Sequence, residues 1–200
     1  MIVDEPYAND SVQSAFRRSL LREPHMLQLT EYVEHLRHIY PEDDVPDFDP
    51  AGGGTDARVL VLLEKPSFVA GAGSRLISPH NRDPTAKHLW EHMNNNGLAR
   101  NLFVHWNIVP TWNGTMKITA AEERRGAAHL NELLKLLPNV RAAVLCGAKA
   151  QRAGQKWADH GISIFKTAHP GMQARNGPHS RENWKQIGAV LSQAVLSVNG

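Results

Sequence analysis

A carboxylate, a carboxamide, an ammonium and an imidazole stand at or within a few residues of the ends of four short apolar runs: Glu64, Asn107, Lys149 and His169. A carboxylate and an imidazole can exchange or orient protons, an ammonium can meet an anion, and a carboxamide presents one donor and one acceptor. Singly, each is an ordinary polar loop residue; four in the same relative position point to one shared site. A competing pattern is His88-Leu89-Trp90-Glu91-His92, an H-x-x-E-H arrangement that would put two imidazoles one helical turn apart. It lacks a distinctive third ligand, and Leu89, Trp90 and Met93 are needed for packing, so no bound metal is expected. The glycine clusters at 52–54 and 71–73 are not followed by G-K-[ST] and do not form G-x-G-x-x-G, which argues against nucleotide hydrolysis and dinucleotide cofactors. No G-x-S-x-G elbow occurs, and Cys146 sits in an apolar run as a core thiol.

The elements that must position these residues alternate in type. Val59–Leu63 is continuously apolar, as a strand covered on both faces requires. A helix over Thr85–Asn94, a strand over Leu102–Val109 and an amphipathic helix over Thr119–Leu137 follow, the last opened by a Thr119/Glu122 capping box. Strand Ala142–Cys146, helix Lys149–His160, strand Ile162–Thr167 and a final helix capped by Ser180 complete the series. This order predicts a three-layer α/β sandwich, a central four-stranded parallel sheet flanked by helices, with its ligand crevice beyond the strands' carboxyl ends. Ahead of it, helices over Val12–Arg22 and Met26–Tyr40 and an acidic, proline-rich stretch at 41–50 read as an N-terminal helical arm and surface connector (1–50) preceding the α/β domain (51–200).

Composition sets outer bounds. Two hundred residues, 42 % of them hydrophobic, suit one core. One cysteine excludes an internal disulfide framework and a cysteine-ligated cluster, and it fits a reducing cytoplasm. No run of about 18 apolar residues suggests a membrane span, and the acidic, polar start does not read as a signal peptide. A net charge of +2 permits a nucleic-acid partner without demanding one.

From Arg58 to Leu191, the order of motifs resembles the uracil-DNA glycosylase superfamily. Val61-Leu62-Leu63-Glu64-Lys65-Pro66-Ser67 lies where the family carries its first motif, and Asp83-Pro84-Thr85 with Leu89-Trp90 resembles its proline loop and following helix. Phe103 to Val109 resembles the strand ending in the uracil-reading asparagine, Val144 to Gln151 the apolar-strand, glycine, A-Q segment, and Ala168-His169-Pro170-Gly171-Met172 the H-P-S motif. Departures are specific. Leu63 replaces a glycine, Lys65 stands at the water-activating aspartate of the best-known branch, Ser67 replaces its thymine-excluding tyrosine, and Gly171 replaces the motif serine. Glu64 matches the glutamate of the iron–sulfur branches, whose cluster cysteines are missing here.

The resemblance implies a cofactor-free, monofunctional, monomeric glycosylase of the bacterial cytoplasm and nucleoid, hydrolysing uracil from DNA in base-excision repair. Excision of other deaminated or mispaired bases, or non-catalytic binding of uracil or abasic DNA, are the alternatives. It implies roles for His169 as donor to the departing base, for Glu64 ahead of Asp83 as water acceptor, and for Asn107 as base reader. Phe68, Ile77 and Ser78 become candidates for the base pocket, with Trp112 a looser one. Lys65, Ser67, Pro84, Thr85, Lys149 and Arg175 become candidate DNA contacts, and Met172 or Gln173 the wedge filling the vacated stack. Asp83 suits equally the N-cap of the helix opened by Pro84.

Overall fold

The computed structural model describes residues 11–171, 176 and 180–199. Its chain order is α1 (Ser11–Ser19), α2 (Leu27–Ile39), β1 (Asp47–Phe48), β2 (Val59–Leu63), β3 (Leu76–Ile77), α3 (Pro84–Asn95), β4 (Phe103–Asn107), α4 (Ala120–Lys135), β5 (Ala142–Cys146), α5 (Ala148–Gly154), β6 (Ser163–Thr167) and α6 (Ser180–Asn199). The main sheet runs β4-β2-β5-β6, all parallel. The chain leaves β2 for one neighbour and later returns to its other side, so the strand order reverses at β2, where open α/β sheets bind ligands. The α/β sandwich is therefore present with the four parallel strands the sequence predicts.

Period-two alternation splits each strand between two cores. Leu60, Leu62, Val104, Trp106, Ala143 and Leu145 face α2, α4 and α5. Val59, Val61, Leu63, Phe103, Ala142, Val144 and Cys146 face α3 and α6. All five residues of β2 are buried, as a doubly covered strand must be. The backbone pairing runs past β4: Ile108 and Val109 N–H donate to Leu63 O and Glu64 O at 2.9 and 3.0 Å. That extension accounts for the longer strand expected there.

Two local expectations change. The helix expected over Lys149–His160 ends at Gly154 and continues as a 3₁₀ turn, Gln155–His160, closed by left-handed Gly161. The tighter turn goes with Trp157 being buried against the sheet. Residues 45–50, expected as surface connector, are buried instead. Phe48 stacks on Trp106 at 3.8 Å between ring centroids, with Tyr32 of α2 tilted against both. Asp49 is buried between the Arg17 and Arg100 guanidiniums, Arg17 lying 3.2 Å away. Burial alone would raise the Asp49 carboxyl, but Arg100 and Arg17 outweigh it and hold it at about 2. Local sequence could not show this, because the matching charges lie 32 and 51 residues away.

Candidate active site

Four strand ends converge. β2 leads into Glu64-Lys65-Pro66-Ser67 and β4 ends on Asn107, which sits opposite Leu63 in the ladder. β5 leads through Gly147 to Lys149, and β6 leads through Thr167 to His169. Between β2, β4 and the start of α3 lies a small open-mouthed cavity of about 60 Å³. Leu63, Ala70, Ile77, Ala86 and Leu89 supply its apolar wall, while Asn107, Asp83, Ser67 and His169 supply polar groups.

Asn107 is 3 % exposed, yet its carboxamide makes no protein hydrogen bond among the described residues. On the cavity wall, its donor and acceptor are open to water or to a ligand. His169 is half-buried, and Gly171 N–H donates to its Nδ1 at 3.1 Å. With Nδ1 accepting, the neutral ring carries its proton on Nε2 and offers an N–H donor at the cavity. Burial lowers the imidazole below its ordinary range, helped by Lys149 and opposed by Glu64 and Asp83. The ring is thus a neutral donor at pH 7.

The two carboxylates differ in placement. Asp83 lines the cavity but serves as the α3 N-cap: Oδ1 accepts from Ala86 N–H at 3.1 Å and Oδ2 from the Ser67 hydroxyl at 3.1 Å. Glu64 lies outside the cavity wall and is 24 % exposed, with Lys149 Nζ 3.6 Å from Oε2 and Lys149 N–H 3.4 Å from Oε1. Gly147 allows this approach. It holds φ +90°, and a Cβ there would stand 2.8 Å from Glu64 Oε1 and 3.0 Å from His169 Cβ.

Lys65, expected on a phosphate, is buried and turned inward. Its ammonium donates to Asn113 Oδ1 at 2.8 Å, Lys117 O at 3.1 Å and Glu122 Oε1 at 2.8 Å. Three acceptors use all three of its hydrogens. Burial alone would raise Glu122, but hydrogen bonds from Lys65 and Thr119 bring it down to about 2. The same carboxylate completes the α4 capping box read from sequence.

The other expected contacts divide. Ile77, Ser67 and Thr85 line the cavity; Lys149 is partly exposed beside Glu64, and Pro84 is exposed at the start of α3. Ser78 lines the cavity too, but its oxygen accepts from Arg17 at 3.1 Å and from His80 N–H at 3.0 Å. Phe68 is outside the wall, 65 % exposed, with its ring edge-on to Trp112 at 6.3 Å. Met172, Gln173 and Arg175 lie outside the described residues. His88 and His92 are buried against Trp184, their ring centroids 4.7 and 4.2 Å from it. His88 Nδ1–H donates to Pro170 O at 2.7 Å, so half of the H-x-x-E-H pattern braces the turn after His169. Among the described residues, no three His, Cys, Asp or Glu side chains are grouped to hold a metal ion.

Sequence reasoning missed Met116, Asn81 and His105, all of which line the cavity. His105 carried a usable signal, because it stands two residues before Asn107 in a strand and so shares its face. Asn81 and Met116 are in loops, where no periodicity marks them.

The cavity is an apolar slot at the switch point of a parallel sheet in a doubly wound α/β fold, with the Asn107 carboxamide and the His169 imidazole on its wall. The family comparison makes this specific: residues 50–188 match the uracil DNA glycosylase superfamily, and the chain belongs to that superfamily. Its members bind DNA, and the general function the match supports is that of a DNA glycosylase. No curated protein matches the chain significantly.

Proposed function

We propose that the protein excises uracil from DNA by hydrolysing the N-glycosidic bond, leaving an abasic site without cutting the strand. The observation that carries this reading is the pairing, on one cavity wall, of an Asn107 carboxamide without a protein partner among the described residues and a His169 ring held as the Nε2–H tautomer by Gly171. A base in a duplex must be swung out to reach such a slot. Asn107 then donates to uracil O4 and accepts from N3–H, a pattern cytosine does not offer. As the C1′–N1 bond breaks, negative charge grows on the base, and the His169 N–H stabilises it at O2. Water adds to the sugar cation from the face opposite the base, so its acceptor belongs outside the base slot. Glu64, partly exposed beside His169, suits that place better than Asp83, whose oxygens already accept from Ala86 and Ser67.

A second reading widens the base range. Ser67 stands where the best-known branch has its thymine-excluding tyrosine, and this small side chain is tied to Asp83. That arrangement leaves room for larger or deaminated bases. The chain is read as a monomer of the cytoplasm and nucleoid; among the described residues no helix is long and apolar enough to cross a membrane. Incubation with labelled oligonucleotides containing uracil, T·G or hypoxanthine, followed by alkaline cleavage, tests the reading. Uracil-dependent, alkali-requiring cleavage is expected. Retention of uracil DNA with no abasic product would make the protein a binding module.

A further inference from the structure

His88 of α3 is 2 % exposed and stands outside the cavity wall, so it does not touch a base in the slot. Trp184 of α6 packs against its ring edge to face, with 4.7 Å between centroids. Its Nδ1 lies 2.7 Å from Pro170 O, and because a carbonyl only accepts, the His88 proton is on Nδ1. The carbonyl of Pro170 belongs to the same peptide group as the N–H of Gly171, which donates to His169 Nδ1 at 3.1 Å. One peptide group therefore carries a histidine at each end, His88 Nδ1–H on its oxygen and His169 Nδ1 on its hydrogen.

That peptide needs holding. A peptide between proline and glycine turns over with little resistance, because glycine accepts φ of either sign and the two common turns differ by that flip. A flip would take the N–H away from His169 and bring a carbonyl oxygen toward Nδ1. An oxygen there calls for the ring proton on Nδ1, and the cavity would lose its Nε2–H donor. His88 holds the oxygen on α3 and polarises the amide, which strengthens the N–H bond to His169. Residue 171 also lies tight against the ring: a Cβ there would stand 3.1 Å from His169 Nδ1. We propose that His88 is a positioning residue that fixes the tautomer of His169 through the Pro170–Gly171 peptide. The inference rests on the reading of His169 as donor to the departing base, but the tautomer is observable without any excision.

His88→Asn, His88→Gln and His88→Phe separate the hydrogen bond from the packing. Asparagine presents an N–H where Nδ1 stands, glutamine carries its amide out to the place of Nε2, and phenylalanine keeps a ring on Trp184 with no donor. Single-turnover excision at saturating protein should fall about tenfold in His88→Phe and His88→Gln, less than the roughly 10²–10³ lost with the donor itself, and His88→Asn should recover most of it. Affinity for uracil DNA should stay close to that of wild type in all three. Nitrogen NMR of isotope-labelled imidazoles, with His169 assigned by its loss in His169→Ala, gives the readout that packing alone would not move. Wild type and His88→Asn should show a bare Nδ1 and a protonated Nε2 on His169, whereas the other two should show the tautomers averaging. If His88→Phe does not fold, the contrast between asparagine and glutamine decides. Unchanged rate and unchanged His169 signals in His88→Gln would overturn the proposal, and so would a loss that His88→Asn does not restore. Signals that depend on His88 in this way in a protein that excises nothing would sustain the positioning role and sink the hydrolase reading.

Discussion

At the scale of single residues, the reading depends on where protons sit. The Gly171 N–H occupies His169 Nδ1, which leaves the ring one donor for the cavity. Removing a donor aimed at developing charge typically costs about 10²–10³ in rate, so His169→Ala should lose that much single-turnover excision while retaining most affinity for uracil DNA. Excision at the wild-type rate would take His169 out of the reaction. The carboxylates are separable by the same kinetics. General-base help is worth about 10²–10⁴, so Glu64→Gln should lose at least about 10² and Asp83→Asn less. Because Asp83 also caps α3, both variants need a check of folding by circular dichroism. The reverse ranking in folded proteins would give the water to Asp83.

At the scale of elements, the site depends on how closely helices approach strand ends. Gly126 of α4 is the tightest case: a Cβ there would fall 1.8 Å from Ile108 O, immediately after Asn107. Gly126→Ala must push α4 away from the end of β4 or displace the turn that follows Asn107. Overpacking of this kind costs about 1–3 kcal/mol, which a urea midpoint will register, and excision should fall with it. A variant as stable and active as wild type would show that α4 does not set the Asn107 position. By contrast, the Thr119–Glu122 capping box is local and was visible as a spacing of three.

Across the whole molecule, buried charge and buried neutral histidine link stability to pH. His105 is held near 4 against its ordinary 6.5, chiefly by burial and also by Arg100 and His80, with Asp49 opposing. Between those values the unfolded chain binds a proton that the native chain refuses, so stability should fall as pH drops from about 6.5 to about 4. Asp49 and Glu122 are held at about 2, below their ordinary 3.8 and 4.5. Native carboxylates that stay charged while unfolded ones take protons lose their stabilising effect from about pH 4.5 down to about 2. Urea midpoints at about pH 7, 5 and 3 should therefore decline in succession, and Asp49→Asn should flatten the last interval. An unchanged midpoint between the first two would contradict the buried, neutral His105.

What the chain alone determined is whatever hydrophobic period and short spacing encode. Runs such as Val59–Leu63 and Ala142–Cys146 can satisfy two apolar layers only as inner strands, and their alternation with helices implies a parallel sheet with its crevice at the carboxyl ends. Glu64, Asn107, Lys149 and His169 were legible because such strands end in phase; the motif order around them carried the family. The tertiary structure decided everything that depends on partners distant in sequence. Lys65 reads as an exposed cation until Glu122, 57 residues on, takes its ammonium inside. Residues 45–50 read as an acidic connector until Arg17 and Arg100 neutralise Asp49 and Trp106 receives Phe48. Met116 carries no local pattern at all. Its place at the cavity follows from Lys65 holding Asn113 before it and Lys117 after it, and a charge buried in pairs leaves no periodic trace in the residues beside it.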